Sequence, residues 1–476
     1  MGNFNSAEFE TRIKNRFGGT IWLAFLWLLL AGILVSLFFY SGSMKFDNDE
    51  FEHIHTAWKM LQGREIYVDF FQHHHPFMYY MMMPVISIFG STTESIFACR
   101  YIMLALTGGI LIVTYLLSMR VFKNSEVGVI SLILTSTMAT FYMKSIEIRP
   151  DVPQTLAGLL SVYFLFVFYD RRSFRSLWLS AVFLALSFLI IQKSIALILV
   201  ISALLLYDMR GKTLRPRDVL IYAAIFLLCI SPYYIYLVAA GGFKQYFVMN
   251  WIVNFYFPQI FEKWFIMLAV FRENSITCVL YAIGVVALLK SKEHRRFAVL
   301  SIGLIIAVVL LFENLWRQYF MLAIPLFGII ASYALYSTFG SKYGRLVVII
   351  GAIYVPMAIM HNHGLFKMDD TERAAQIDKI NYVLSITDEN DKVYDGVASF
   401  NVFREDIDYL WFCVRDTECI PILQKVAGFK YDIYESIANE RPKVISNFGI
   451  HSFDDVRIKN KYRVSDRYPD LYIRAD

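Results

Sequence analysis

Apolar stretches long enough to cross a bilayer recur along most of this chain, and nothing else in it constrains the fold as strongly. The first runs from Thr20 to about Tyr40, close to the ~20 residues that an α-helix needs to span hydrocarbon. Others follow at Tyr101 to Met119, Val127 to Met143, Val152 to Tyr169, Leu177 to Ile191, Ile195 to Tyr207 and Val219 to Ala240. Four more lie at Ile266 to Leu289, Phe297 to Phe312, Tyr319 to Tyr336 and Leu346 to Met360. Lipid offers backbone groups no partner, so such runs must be helical. The expectation is an all-α polytopic membrane protein of about eleven spans, in which the short pair around Lys193 could also be one kinked segment.

Composition agrees. Of 476 residues, 57% are hydrophobic and 18% charged, against roughly 45–50% apolar and 25% charged in a soluble domain. Net charge is +5, and the cations sit in short loops rather than in a patch interleaved with exposed aromatics, which argues against a nucleic-acid partner. Arg12, Lys14 and Arg16 precede the first run, which is longer than a signal-peptide core and lacks a small-residue cleavage site, so it reads as an uncleaved helix. Alternate loops carry the Lys and Arg residues, from Arg120 and Lys123 to Lys342 and Arg345. The charge bias predicts a cytoplasmic N-terminus and an extracytoplasmic C-terminus.

Two segments outside the spans stand apart. Residues 1–361 read as the membrane domain, with a first outer loop at 41–100. Within that loop Phe77 to Phe89 is apolar but too short to cross. From residue 362 to 476 the chain turns polar, with a helical pattern in TERAAQIDKINYVLSI and strand-like runs in KVYDG, PKVIS and DLYIRA. This predicts a small extracytoplasmic α/β domain. Cys99, Cys229 and Cys278 fall in apolar runs, whereas Cys413 and Cys419 in the tail could pair in an oxidising compartment.

The first loop holds the densest chemistry. DNDEFEHIH, Asp47 to His55, opens a helix in which Phe51, Ile54, Trp58 and Leu61 share a face and Gly63 is the stop. It reads as an amphipathic helix lying on the membrane surface. Asp47 with Glu50 resembles a capping box, which accounts for those acids structurally. Asp49 is not needed for the cap and sits four residues before His53, on one helical face. Further on, His73 and His75 would share a side of an extended segment and could chelate a divalent cation; the bland reading is hydrogen bonding to substrate or neighbouring loops.

KSIEIRPDVPQT, Lys144 to Thr155, forms an outer junction where Asp151 either caps the next helix or projects with Arg149 into a cavity under the first loop. Lys193 and Arg317 are isolated cations at outer junctions, able to snorkel or to bind a lipid-linked phosphate. None of these charges falls at a bilayer midplane and no internal repeat is evident, which suits a surface enzyme better than a transporter.

DEFEHIHTAWKMLQGREIYVDFFQHHHP resembles the first-loop signature of the ArnT-like and PMT-like glycosyltransferases. The matching residues are Asp49 and Glu50, Gly63 with Tyr67, Asp69 and Phe70, and His75 with Pro76; Arg149 to Asp151, Lys193 and Arg317 are similar in placement. The resemblance implies a GT-C fold with its active site on the outer face and a sugar donor carried on a polyprenyl phosphate. The acceptor is a glycan, lipid or protein; no cofactor is certain, and use of a divalent cation stays open. On that basis Asp49 is expected to be the base or acceptor-orienting carboxylate, with Asp151 second. Lys193, Arg317 and Arg149 would hold the donor phosphate, and Glu50, His53, Asp69 and His75 would line the acceptor side. A transporter or flippase of lipid-linked sugars, and a noncatalytic scaffold, are the alternatives.

Overall fold

A computed structural model describes residues 6–339, 344–365, 370–415 and 417–475. Lys342 lies outside the described residues, as do the side chains of Arg12, Lys14, Arg16 and Arg345. Helix α1 (Ser6–Ser43) leads into α2 (Asn48–Leu61) and α3 (Phe77–Phe89) of the first loop, then α4 (Thr93–Phe122), α5 (Ser125–Thr137), α6 (Ala139–Lys144), α7 (Asp151–Arg171) and α8 (Phe174–Ile190). A 3₁₀ turn, Gln192–Ser194, separates α8 from α9 (Ile195–Arg210), so the region around Lys193 is two helices. After α10 (Pro216–Ala239) come α11 (Phe243–Phe247), a π-helix (Val248–Val253), α12 (Asn254–Tyr256), α13 (Lys263–Glu273), α14 (Ser275–Lys290) and α15 (Arg295–Leu311). A 3₁₀ turn, Arg317–Phe320, then precedes α16 (Ile324–Phe339) and α17 (Gly344–Leu365).

Every expected span thus falls on a helix or a broken pair, but not every one is a plain crossing. Among the described residues five helices are long and apolar enough to span alone: Leu23–Ser43, Thr93–Phe122, Asp151–Arg171, Gln192–Arg210 and Pro216–Ala239. The run Ile266 to Leu289 bends by 96° between α13 and α14, and the run Val127 to Met143 breaks at Met138, whose ψ is 127°. Two asparagines account for these breaks. Asn274, at the α13/α14 bend, accepts the Ala139 amide at 2.8 Å and donates to Val270 O at 2.8 Å, while Asn362 donates to Thr137 O at 3.1 Å. Backbone groups freed inside a bilayer need such partners.

The bundle closes through small residues. α16 packs against α5 and α14, and a Cβ on Gly284 would lie 2.5 Å from Ile330 O, one on Gly328 2.9 Å from Ser131 O. Glycine at both positions lets the backbones touch where dispersion, not water exclusion, holds helices together.

The C-terminal part contains α18 (Asp370–Ser385), β1 (Val393–Tyr394), α19 (Cys419–Ala427), α20 (Ile433–Glu440), β2 (Val444–Ser446), β3 (Tyr462–Val464) and β4 (Leu471–Arg474). The sheet order is β1-β2-β4-β3, parallel only between β1 and β2. The three strand-like runs and α18 follow the sequence pattern; β3, α19 and α20 do not announce themselves in it. Cys413 and Cys419 are free thiols.

Helix α2 departs most from expectation. Its capping box forms, with Asp47 accepting the Asp49 amide at 3.1 Å and Glu50 accepting the Asp47 amide at 2.9 Å. Yet every residue from Glu50 to Met60 is buried. The polar face is not solvated, because the tail segment around Asn401–Phe412 covers it: His55 Nδ1 lies 3.0 Å from Val402 O and Lys59 Nζ donates to Asp406 Oδ2 at 2.6 Å.

Candidate active site

Two segments distant in sequence meet at the start of α2. Glu50 is fully enclosed, accepting from Arg100 Nε at 3.0 Å and from the Ile148 amide at 3.0 Å. Arg100 also donates to Ser41 O and Met44 O. Glu50 therefore fastens α2 to α4 and to the junction before α7. It does not line the acceptor side as expected, since its carboxylate is already saturated.

That fastening brings Asp49 onto Arg149, whose Nη1 hydrogen-bonds Asp49 Oδ2. Burial pushes the Asp49 carboxyl upward, but the Arg149 guanidinium, with lesser help from His53 and Lys144, holds it well below the usual carboxylate range. Asp151 makes no helix cap. Its carboxylate lies 3.4 Å from Arg149 Nε and 3.5 Å from Lys193 Nζ, buried beneath both cations. Lys193 in turn sits over the Tyr319 ring at 3.8 Å. Arg317 pairs with Glu273 at 2.7 Å, beside the α13/α14 bend.

These groups face a cavity of about 1190 Å³, lined by Asp49, Glu52, His73, His74, Arg149, Lys193, Arg317 and Tyr319. Its far wall comes from the tail, with Phe412, Cys413, Arg415 and Glu418. Apolar side chains also line it, among them Phe257, Ile260, Phe261, Phe265, Leu310 and Leu311.

The histidine run folds differently from an extended strand. Gln72 Oε1 accepts from both the His73 and His74 amides, at 2.7 and 3.1 Å, which turns the chain and brings the two imidazoles, tilted by 58°, to 4.2 Å between centroids. His75 is sent the other way, its Nδ1 to Phe188 O at 2.6 Å and Nε2 to Tyr246 OH at 2.9 Å. The cation pair is thus not His73 with His75, and His75 does not border the cavity. The ligand atoms of Glu52, His73 and His74 lie instead within 4.8 Å of one another. Burial pushes His73 down to about 4 and His74 well below its ordinary value, which favours the neutral rings, and their Nδ1 atoms lack hydrogen-bond partners among the described residues. One carboxylate with two neutral imidazoles is a donor set that fits a divalent cation.

His53 is buried behind this group, pushed down to about 3 by burial, with its Nδ1 3.4 Å from Tyr79 OH. Asp69 lies away from the cavity; its carboxylate accepts the Glu65 amide at 2.7 Å and holds the 65–69 turn. Its expected role beside substrate does not survive, because the Gly63 to Phe70 stretch shapes the loop.

Glu52 is the residue that sequence reasoning passed over. Three positions after Asp49, it shares that helix face. Gln72 Nε2 donates to it at 3.1 Å, and among the described residues its only salt-bridge neighbours are His53 and His73, at 4.0 and 3.9 Å. Burial first and the Asp49 charge second push its carboxyl well above the ordinary value.

A multi-pass membrane body whose first loop borders a carboxylate- and cation-lined cavity, with a small sheet in the tail, is the architecture of the ArnT-like and PMT-like GT-C glycosyltransferases, and the chain has that fold. Residues 73–236 match the family model described as dolichyl-phosphate-mannose-protein mannosyltransferase. ArnT from Cupriavidus metallidurans bound to undecaprenyl phosphate superposes with a TM-score of 0.68 at 12% identity, over 94% of this chain and 97% of that one. Its apo state gives 0.66 at 12% identity over 96% and 98%. The Archaeoglobus fulgidus oligosaccharyltransferase in complex with Zn and sulfate gives 0.51 at 14% identity over 81% and 62%. No curated protein matches the chain by sequence.

Proposed function

We propose that this protein transfers a sugar from a polyprenyl-phosphate donor to a glycan, lipid or protein acceptor at the outer face of the plasma membrane, with inversion at the anomeric carbon. The observation that carries the reading is the single cavity in which Lys193, Arg149 and Arg317 face the Asp49/Glu52 carboxylates beside an apolar wall. The ArnT fold is solved with undecaprenyl phosphate, and an apolar side next to three cations suits such a ligand.

The donor phosphate sits against Lys193 and Arg317, and its isoprenoid chain against Phe261, Phe265, Leu310 and Leu311. The acceptor hydroxyl oxygen attacks the anomeric carbon from the opposite face, and the bonding pair to the phosphate oxygen leaves with the phosphate. Cations stabilise that developing charge, so no acid is required. The hydroxyl proton needs a base of raised pKa. Glu52 meets that need. Asp49, neutralised by Arg149, orients the acceptor, and Asp151 keeps Arg149 and Lys193 in place. A divalent cation held by Glu52, His73 and His74 would supply positive charge beside the acceptor but would take Glu52 out of the base role.

The basic loops support a cytoplasmic N-terminus, with the first loop and residues 362–476 outside. Purified protein in detergent, given a polyprenyl-phosphate sugar and candidate acceptors, tests the reading. Glycosylated acceptor is expected, with Glu52→Gln nearly inactive. A protein that moves lipid-linked sugars between leaflets of vesicles but forms no product in detergent is a flippase, and the proposal then fails.

A further inference from the structure

The roof of the site is tied to the tail by three charged groups buried together. His55 is 0%, Lys59 3% and Asp406 9% exposed. Asp406 Oδ2 accepts from His55 Nε2 at 2.8 Å and from Lys59 Nζ at 2.6 Å, and its Oδ1 accepts from Asn401 Nδ2 at 2.8 Å. The other ring nitrogen, His55 Nδ1, lies 3.0 Å from Val402 O. A carbonyl can only accept, and so can an ionised carboxylate. Both ring nitrogens must therefore donate, which makes His55 an imidazolium.

Two cations then share one anion. The excess charge is met by aromatic faces: Lys59 Nζ lies 4.7 Å from the Phe70 ring and 5.9 Å from that of Trp411, and an ammonium is attracted to such faces. His55 and Lys59 are one turn apart on α2, and Glu52 is three residues before His55. The same tail segment continues from Asp406 to Phe412, whose ring meets His73 edge-on at 5.7 Å.

We propose that His55, Lys59 and Asp406 form a charged latch that makes the tail a working part of the site, with Asp406 the residue that positions α2 and hence Asp49 and Glu52. The kinetic part of this proposal rests on the transferase reading above; the protonation of His55 does not.

The test has two arms on the full-length protein in detergent micelles. The chain labelled with ¹⁵N-histidine is compared with His55→Gln to assign the His55 signals, or, should that variant not fold, with Lys59→Met, which perturbs the same ring. Two protonated ring nitrogens at neutral pH are expected; one bare nitrogen overturns the latch. In the kinetic arm, Asp406→Asn leaves two uncompensated cations and is expected to lower kcat about tenfold or more with the donor KM unchanged. Lys59→Met leaves a neutral ion pair and lowers it less than about threefold, and the double variant recovers part of the Asp406→Asn loss. Wild-type kcat in Asp406→Asn, or equal losses in Asp406→Asn and the double variant, overturns the positioning role. An inactive wild type with a doubly protonated His55 overturns the transferase reading and keeps the latch.

Discussion

Asp49 of the first loop and Arg149 of the junction before α7, 100 residues apart in the chain, are hydrogen-bonded partners on one cavity wall. Arg149 also reaches Asp151 at 3.4 Å, so a single guanidinium orders both acids that sequence reasoning places in the mechanism. Its planar fork suits two carboxylates, whereas a lysine offers one compact charge. Arg149→Lys is therefore expected to lower transfer on the order of 10²-fold. Activity within a few-fold of wild type, measured with saturating donor, would remove Arg149 from the site.

As the base of the proposed transfer, Glu52 gives the reaction a pH dependence. Burial and the Asp49 charge raise its pKa, and only the ionised form accepts a proton. Activity should climb with pH through a limb whose midpoint lies above the usual carboxylate range. Glu52→Gln should abolish that limb and slow transfer about 10²–10⁴-fold. For stability the sign is opposite: a raised folded pKa favours the protonated state, so this group's contribution is present at acid pH and fades as pH rises through the folded value. A kcat profile of the wild type and the variant from acid to neutral pH checks the first statement.

Much of this was legible in the sequence, and the misses share a cause. Bilayer length sets the spans, so Thr20 to Tyr40 and Val152 to Tyr169 are read from apolarity alone. Asp47 and Glu50 announce a cap because capping is local chemistry. Arg100 as the partner of Glu50, Asp406 as the partner of Lys59 and Tyr246 as the partner of His75 are separated from those residues by 50, 347 and 171 positions, and no periodicity encodes such pairings. The histidine run departs from the extended pattern because Gln72, a side chain, sets the local turn. Glu52 alone was within reach, through its three-residue spacing from Asp49.

The cation and base roles of Glu52 exclude each other, which a chelator can decide. EDTA-treated protein that keeps full activity leaves Glu52 free to act as base. Loss of activity restored by a divalent ion, and absent from His74→Ala, assigns Glu52, His73 and His74 to a metal.

Glu50 serves the scaffold. Removing its carboxylate strands Arg100, which is 1% exposed, and an uncompensated buried charge destabilises by about 3–5 kcal/mol. Glu50→Ala should lower the unfolding temperature in detergent by several degrees or abolish expression. Replacing both partners, Glu50→Gln with Arg100→Met, should restore more stability than either change alone. A Glu50→Ala protein that melts with the wild type and yet is inactive would move Glu50 from scaffold to chemistry.

Lys193 and Arg317 differ in what their loss leaves behind. Lys193 stands over Tyr319 at 3.8 Å and 3.5 Å from Asp151; Lys193→Ala exposes a buried carboxylate to the phosphate subsite. Repulsion then adds to the lost attraction, so the donor should bind more weakly and react more slowly. Arg317 is already engaged by Glu273 at 2.7 Å, and must share its guanidinium between that acid and the donor phosphate. Arg317→Ala should therefore raise the donor KM by about tenfold, close to 1.4 kcal/mol, with a smaller effect on kcat. Glu273→Gln frees the guanidinium and should lower the donor KM. Opposite shifts in these two variants, read from initial rates over a donor series, support a phosphate at Arg317. A rise in both would mean that the pair only braces the α13/α14 bend.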